Sequence, residues 1–447
     1  MTRYRASLLT LTTLALASAL GAQAVGPQAR PPIRQLGAVH ASTTDSLGMV
    51  NNVRALPGGR LLINDATSRR VLLVDSMFKL ISIVADSTSS TANAYGPRSG
   101  SLIAFRGDST LFVDAASLSM LVIDPAGTIG RVMSVPRSQD AMMLAAGGLG
   151  TGAYYSNGYL VYRGMPGIRM QMSAGGTPTM PSVADTMAIV RVNLQSRAVD
   201  TVGFIKIPKT NTNMTRSDDG KISISIEVNP LPVVDDWVVT STGDVALIRG
   251  KDYHIDWMSP DGTHRASPKM AFDWKRLSDE QKVALIDSVK AIRDRAAAAN
   301  PGQGNAMAAA FGAALGTGGA AGGAAPTMVM RFETSGAAGG RPGGGAAPQI
   351  MAPQINYVSP TELPDYQPAF FATSAKADDD GNIWIRTIPT KPQAGGAVYD
   401  VVNGRGEVID RVQIPENRTI VGFGPGGVVI LAARDGMNTK LERARVK

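Results

Sequence analysis

The stretch LINDATSRRVLLVD, residues 62–75, decides the fold, because the chain uses it again. LFVDAASLSMLVID spans residues 111–124, with Asp114 matching Asp65 and Asp124 matching Asp75, each 49 residues on. In both copies an apolar run ends in Asp-Ala. A polar loop holding Ser68 or Ser117 follows, and a second apolar run ends in Asp. That is two strands and their connection, used twice. Repetition at such a period marks a propeller, a solenoid or an array.

Working outward, the copies become four-stranded blades. The first covers 47–86, with strands at 49–56, 60–64, 71–75 and 80–85 and a Pro57-Gly58-Gly59 turn. The second covers 101–135, with strands at 102–105, 110–113, 120–124 and 128–135. Arg106-Gly107-Asp108 falls where a hairpin turn is needed and is read as one. The third blade, with strands at 159–163, 188–193 and 198–207, is broken by an insertion. The fourth, 232–270, has strands at 233–240, 245–249, 253–258 and near 265–270. The fifth has strands at 371–377, 382–387, 397–402 and 408–414, and its Asp378-Asp379-Asp380-Gly381 run reads as a turn rather than a Ca²⁺ loop. The last shows only three strands, 419–424, 428–433 and 441–446. Residues 33–40, IRQLGAVH, form a strand with no hairpin partner before it. Pairing it with the last blade would close the ring and remove both sheet edges.

The expected fold is thus all-β: a six-bladed β-propeller closed by N- and C-terminal strands, with one inserted helix and a Gly/Ala-rich insert without fixed structure. In order, 1–24 is a signal peptide and 25–32 a leader. Residues 33–271 hold the closing strand and blades one to four, 272–366 the helix and the insert, and 367–447 blades five and six. The helix starts at Ser278, an N-cap with Gln281 at N3. It runs over 279–298, with Leu285, Val289 and Ile292 on one stripe and Ile286 beside it, packed on the propeller. From 301 to 349 the chain is mainly Gly and Ala, too poor in apolar surface to offset the entropy of ordering.

Arg3 and Arg5, the apolar run 8–20 and Ala22-Gln23-Ala24 have the order of a secretory signal cleaved after Ala24. The expected location is the periplasm or the exterior, with no membrane span. Losing Arg3 and Arg5 lowers the formal charge from +8 to +6, which argues for solubility rather than nucleic-acid binding. The chain has no cysteine, so disulfides, thiol chemistry and Cys-based metal sites are excluded.

DGNIWIRT (380–387), and LINDATSRRVLLVD taken as strand, Asp, polar loop, Arg, strand, resemble the repeats of NHL-type six-bladed β-propellers, secreted bacterial examples among them. Arg69 and Arg70 stand where that repeat places its Arg, while Leu118 and Ser119 replace it in the second blade. The resemblance implies a fold. Proteins of this broad group include binding modules, hydrolases and lyases, and the lactonase-like members hold a divalent cation with Glu, Asn and Asp. No such set is matched here residue by residue.

Three functions are weighed. The first is a non-catalytic propeller that binds a protein or small ligand through its loops and channel, working as a monomer without a cofactor. With three His and no G-x-S-x-G or H-E-x-x-H, the chain lacks the common hydrolase signatures. The second is a hydrolase or lactonase-like enzyme assisted by Ca²⁺ or Mg²⁺. Its candidates are Asp235 and Asp236 on the fourth inner strand, of which alternation lets only one face inward, with Asn51, Asn52 and Arg54 on the first. The third is copper handling by Met165, Met170, Met172, Met180 and Met187, soft thioethers that also suit loop packing. One further candidate site is Asp252, His254 and Asp256, which alternation places on one face of a strand, opposite Tyr253, Ile255 and Trp257.

Overall fold

The computed structural model describes residues 30–88, 93–98, 100–145, 153–165, 168–169, 182–216, 222–299, 354–391, 393–435 and 438–446. The 62–75 stretch becomes the second and third strands of blade 1, Leu61–Asp65 and Arg70–Val74, flanked by Val50–Ala55 inside and Leu80–Ala85 outside. The 111–124 copy is the same pair in blade 2, Thr110–Asp114 and Ser119–Ile123. The repeated aspartates have two separate duties. Asp65 and Asp114 are buried and tie the loop between strands two and three. Asp65 accepts from Ser68 N at 3.2 Å and Arg70 Nη2 at 2.9 Å, and Asp114 from Ala116 N at 3.0 Å and Ser117 Oγ at 2.6 Å. Gly48 and Gly96 lie against them so closely that an added Cβ would fall 2.8 and 2.3 Å from a carboxylate oxygen.

Asp75 and Asp124 instead close the turn between strands three and four. Each accepts two backbone N–H groups, from Met77 and Lys79 and from Ala126 and Thr128. Asn193 and Asn403 do the same in blades 3 and 5. The Arg position of the repeat is a conformational one. Arg69, Leu118 and Tyr253 each precede the third strand of their blade at φ 51°, 56° and 50°. Arg69 then spans to the next blade, donating to Gly96 O and Tyr95 O.

Blade 3 is Tyr154–Ser156, Tyr159–Arg163, Thr186–Asn193 and Val199–Lys206. Blade 4 is Asp236–Val239, Val245–Arg249, His254–Met258 and His264–Ala266. Blade 5 is Phe370–Ala377, Ile383–Thr387, Val398–Val402 and Val408–Gln413. Blade 6 is Arg418–Gly424, Val428–Asp435 and Asn438–Arg445, completed by Val39–Ser42 from the N-terminal side. The chain is a six-bladed β-propeller. Buried apolar side chains pack between every neighbouring pair, including blade 6 with blade 1 through Ile430, Leu441, Ile63 and Val50. Each such Leu, Ile or Val contributes about 1.5–3 kcal/mol relative to exposure.

Three expectations change. The spare strand 33–40 is two strands. Val39–Ser42 closes blade 6, while Ile33–Gln35 adds in parallel to the outer edge of blade 5, covering it. Gly37 N, bonded to Arg445 O, lies at the crossover. The single inserted helix is joined by a short one, Ala141–Ala145, which buries Leu144 between blades 2 and 3. The long helix, Asp279–Ala299, has the expected cap, with Gln281 N on Ser278 Oγ and Ser278 N on Gln281 Oε1. Its stripe is rotated, however: Ile286 and Val289 are buried and Ile292 is exposed. The helix packs on an accessory layer rather than on a bare blade. That layer is a sheet of Thr210–Arg216, Ile222–Val228 and Gln354–Tyr357, the last pair parallel. Leu231, Val358 and Leu363 join the helix to Ile388 and Phe371 of blade 5. The Gly/Ala-rich segment lies outside the described residues.

Candidate functional site

The inner strands of all six blades wall a cavity of about 330 Å³ at the end of the central channel where strands one and two turn. Arg54 and Asn52 come from blade 1, Tyr154 from blade 3 and Ser241 from blade 4. Lys376, Asp378 and Asp379 come from blade 5, and Phe423 from blade 6. Ala104, Ala153 and Val421 supply apolar wall. Alternation decides which residues face in: on Val50–Ala55, Asn52 and Arg54 share a face.

Asn52 is spent on the fold. Its Nδ2 donates to Leu102 O at 2.7 Å and its Oδ1 accepts from Leu102 N at 3.3 Å, stitching blade 1 to blade 2. Arg54 is different. Its Nη1 donates to Ala55 O, while its Nε is buried with no partner among the described residues. Lys376 keeps some surface open to the cavity, although protein surrounds its ammonium. Burial lowers its pKa, the Asp236 carboxylate opposing. Its ammonium has no hydrogen bond or ion pair among the described residues. Asp379 stands on the rim with one side in solvent. Crowding of its other side raises its carboxyl, Arg54 pulling it down and Asp378 and Asp380 adding to the rise. The Tyr154 hydroxyl is likewise pushed up by burial, with Arg54 opposing. Asp378 closes the turn, accepting from Asn382 N at 2.7 Å and Trp384 Nε1 at 3.0 Å.

Asp235 and Asp236 are both away from the cavity wall. Asp236 is 3% exposed. Its Oδ2 accepts from Ser374 N at 2.7 Å and Ala375 N at 2.9 Å, and its Oδ1 from Trp237 N at 2.9 Å. Blade 5 presents two successive N–H groups because its inner strand bulges between Phe370 and Ala375, with Thr373 at φ 57°. Burial pushes the Asp236 carboxyl up to about 6, the three amides and Arg163 pulling it down. Asp235 ties Gly250 N, Lys206 N and Arg249. The oxygens of Asn52, Asp235 and Asp236 are therefore taken by protein donors, and they do not fit a divalent cation. The side chain of Asn51 lies outside the described set.

Asp252, His254 and Asp256 do meet, on the third strand of blade 4. His254 Nδ1 is 2.6 Å from Asp252 and Nε2 is 3.2 Å from Asp256. Asp256 also holds Arg249 at 2.7 Å, and Asp252 holds Lys269 at 3.3 Å. Burial works against the charge on Asp252, yet the contacts from His254 and Lys269 outweigh it and hold its carboxyl below the usual range. This is an ion-paired strand face, apart from the channel. Tyr253, Ile255 and Trp257 on the other face are buried. Of the methionines, Met165 is exposed and Met187 is buried between blades 3 and 4, so these two do not converge. Met170, Met172 and Met180 lie outside the described residues. Sequence reading passed over Lys376 and took Asp379 for a turn residue. The signal was present, since a Lys inside FATSAKA, an otherwise apolar and small inner strand, has to find an opening.

No protein-family model and no curated protein matches the chain. Solved structures match along most of its length at low identity. A DUF4221-family member from Bacteroides vulgatus is 8% identical, covering 93% of this chain and 96% of that one, with a TM-score of 0.43. A gluconolactonase from Xanthomonas campestris is 11% identical over 94% and 98%, with a TM-score of 0.32. Virginiamycin B lyase from Staphylococcus aureus is 10% identical over 90% and 99%, with a TM-score of 0.35. None of these likenesses bears on chemistry. Among the described residues no helix is long and apolar enough to cross a membrane.

Proposed function

We propose that the protein is an exported, non-catalytic binding propeller that takes a small ligand in the mouth of its central channel. The cavity walled by all six blades carries this reading. Its volume lies at the lower end of the roughly 300–1,000 Å³ typical of ligand pockets. Export rests on the N-terminal segment and predicts that protein recovered outside the cytoplasm begins at Val25, read by intact mass. The binding role is tested by a thermal-unfolding screen of varied small molecules, repeated on Ala104→Trp, which fills the channel from blade 2. Hits that raise Tm in the parent and not in the filled variant support the reading. Hits unaffected by Ala104→Trp would place binding elsewhere.

A second reading, an enzyme at the same mouth, is favoured by one observation. Asp379 and Lys376 line the same cavity, and each is shifted towards its neutral form, as a general acid or base requires. Turnover of esters or lactones, lost in both Asp379→Asn and Lys376→Met, would carry it. Addition of EDTA, Ca²⁺ or Mg²⁺ is expected to leave Tm unchanged, since the candidate oxygens are already bonded within the protein. A Ca²⁺-dependent rise of several degrees would overturn that.

A further inference from the structure

The cavity has two cationic groups that the fold leaves unspent. Arg54 uses one donor on Ala55 O and keeps a buried Nε unpartnered among the described residues. A guanidinium has five N–H donors in a planar fork suited to a carboxylate. Lys376, on the inner strand of blade 5, reaches the same cavity with its ammonium unbonded. Protein walls off that Nε, but the outer guanidinium nitrogens have no acceptor besides Ala55 O among the described residues, and an anion in the cavity can supply one. Several charged side chains away from the cavity are spent inside the protein, as with Asp236 on its three amides, Asp235 on Arg249, and Arg411 on Asp400.

The rest of the cavity restricts the anion. Asp378 and Asp379 stand at the same mouth. Two cations beside two acids leave little net charge, so a dianion would meet repulsion that a monoanion largely avoids. Ala104, Ala153, Val421 and Phe423 provide a partly open apolar wall, which suits a hydrocarbon body behind the charged head. Resting on the channel-binding reading above, we infer that the ligand is a small monocarboxylic acid with an apolar body. Its carboxylate lies between Arg54 and Lys376, and its body lies against Val421 and Phe423.

The test is isothermal titration of the purified full chain with hexanoate, benzoate and phenylacetate. Benzyl alcohol serves as the neutral control and inorganic phosphate, held at pH 8 where it is mostly dianionic, as the doubly charged one. Arg54→Gln, Lys376→Met and Ala104→Trp are run beside the parent, with circular dichroism and Tm confirming that each folds. At least one monocarboxylate should bind the parent, with affinity reduced tenfold or more in both charge variants and abolished in Ala104→Trp. Phosphate and benzyl alcohol should not compete with it. Binding of benzyl alcohol or phosphate that Ala104→Trp abolishes, with no carboxylate binding, overturns the inference and leaves the channel reading standing. Carboxylate binding unchanged in both charge variants also overturns it. If no probe binds and the wider screen gives no hit sensitive to Ala104→Trp, both fall. If Arg54→Gln fails to fold, Lys376→Met and a competition series in the parent decide the question.

Discussion

Blades 1 and 2 are joined at the channel by Asn52, and blades 4 and 5 by Asp236. Both side chains leave an inner strand and bond the backbone of the next. They differ because their targets differ. The strand Ser101–Ala104 is regular, and Leu102 presents one N–H and one C=O to its neighbour, which an amide matches with one acceptor and one donor. The inner strand of blade 5 bulges, turning the N–H groups of Ser374 and Ala375 to the same side. Only an acceptor fits there, and a carboxylate accepts without offering a competing donor. A polar residue on a propeller's inner strand is thus not by itself a ligand. The neighbouring backbone decides what it does, and the groups left over, Arg54 and Lys376, are the ones open to something else.

The contrast can be broken most forcefully at Asp236. Asp236→Ala removes three buried hydrogen bonds from backbone N–H groups and should cost at least about 3 kcal/mol, measured by denaturant unfolding. A loss below 1 kcal/mol would mean that water or Arg163 takes over the amides.

The next effect is a pH dependence of similar ceiling. The Asp236 carboxyl is raised in the folded state, from an ordinary 3.8 to about 6. Its contribution to stability is therefore complete below the unfolded value and is lost as pH rises through the folded one. At one pKa unit per 1.36 kcal/mol, the loss between pH 4 and pH 7 approaches ~3 kcal/mol. Asp236→Asn should remove this slope, and an unchanged slope in that variant would assign it to another group.

Asn52→Ala should cost less, about 1–3 kcal/mol, because one N–H and one C=O lose partners where the channel admits water. Asn52→Asp sharpens the comparison. A carboxylate facing Leu102 O is repelled, so this variant should be at least as unstable as the Ala one at neutral pH. The smallest effect belongs to the turn aspartates. Asp75→Ala or Asp124→Ala removes two exposed hydrogen bonds, for about 1 kcal/mol each, and the two should add, since they lie in different blades.

Much of the fold was legible because the determinants were local. Strands two to four of blades 1, 2 and 5 were placed within about two residues from apolar runs and Asx or Gly turns, whose chemistry is set by neighbours a few positions away. The accessory sheet was not read, although ISISIEV (222–228) alternates as a strand should. One of its pairs is the parallel contact of Ile222–Val228 with Gln354–Tyr357, across more than a hundred residues, and no local pattern encodes that. The helix stripe was rotated for the same reason. Lys282 was not counted as apolar, yet it is buried beside Ile286 with its Nζ on Asp365 at 2.8 Å.

By itself the sequence determined the blade repeat, the turn chemistry, the alternation that buries Tyr253, Ile255 and Trp257, and the need for an N-terminal strand to complete the last blade. Each follows from spacing along the chain. Only the tertiary structure decided which polar side chains are free. Whether Asp236 faces a ligand or two amides depends on a bulge 138 residues away, and whether Asn52 is open depends on the register of Leu102. Burial and hydrogen-bond satisfaction belong to the assembled ring, where six inner strands meet, and they are what separates Arg54 and Lys376 from the polar residues around them.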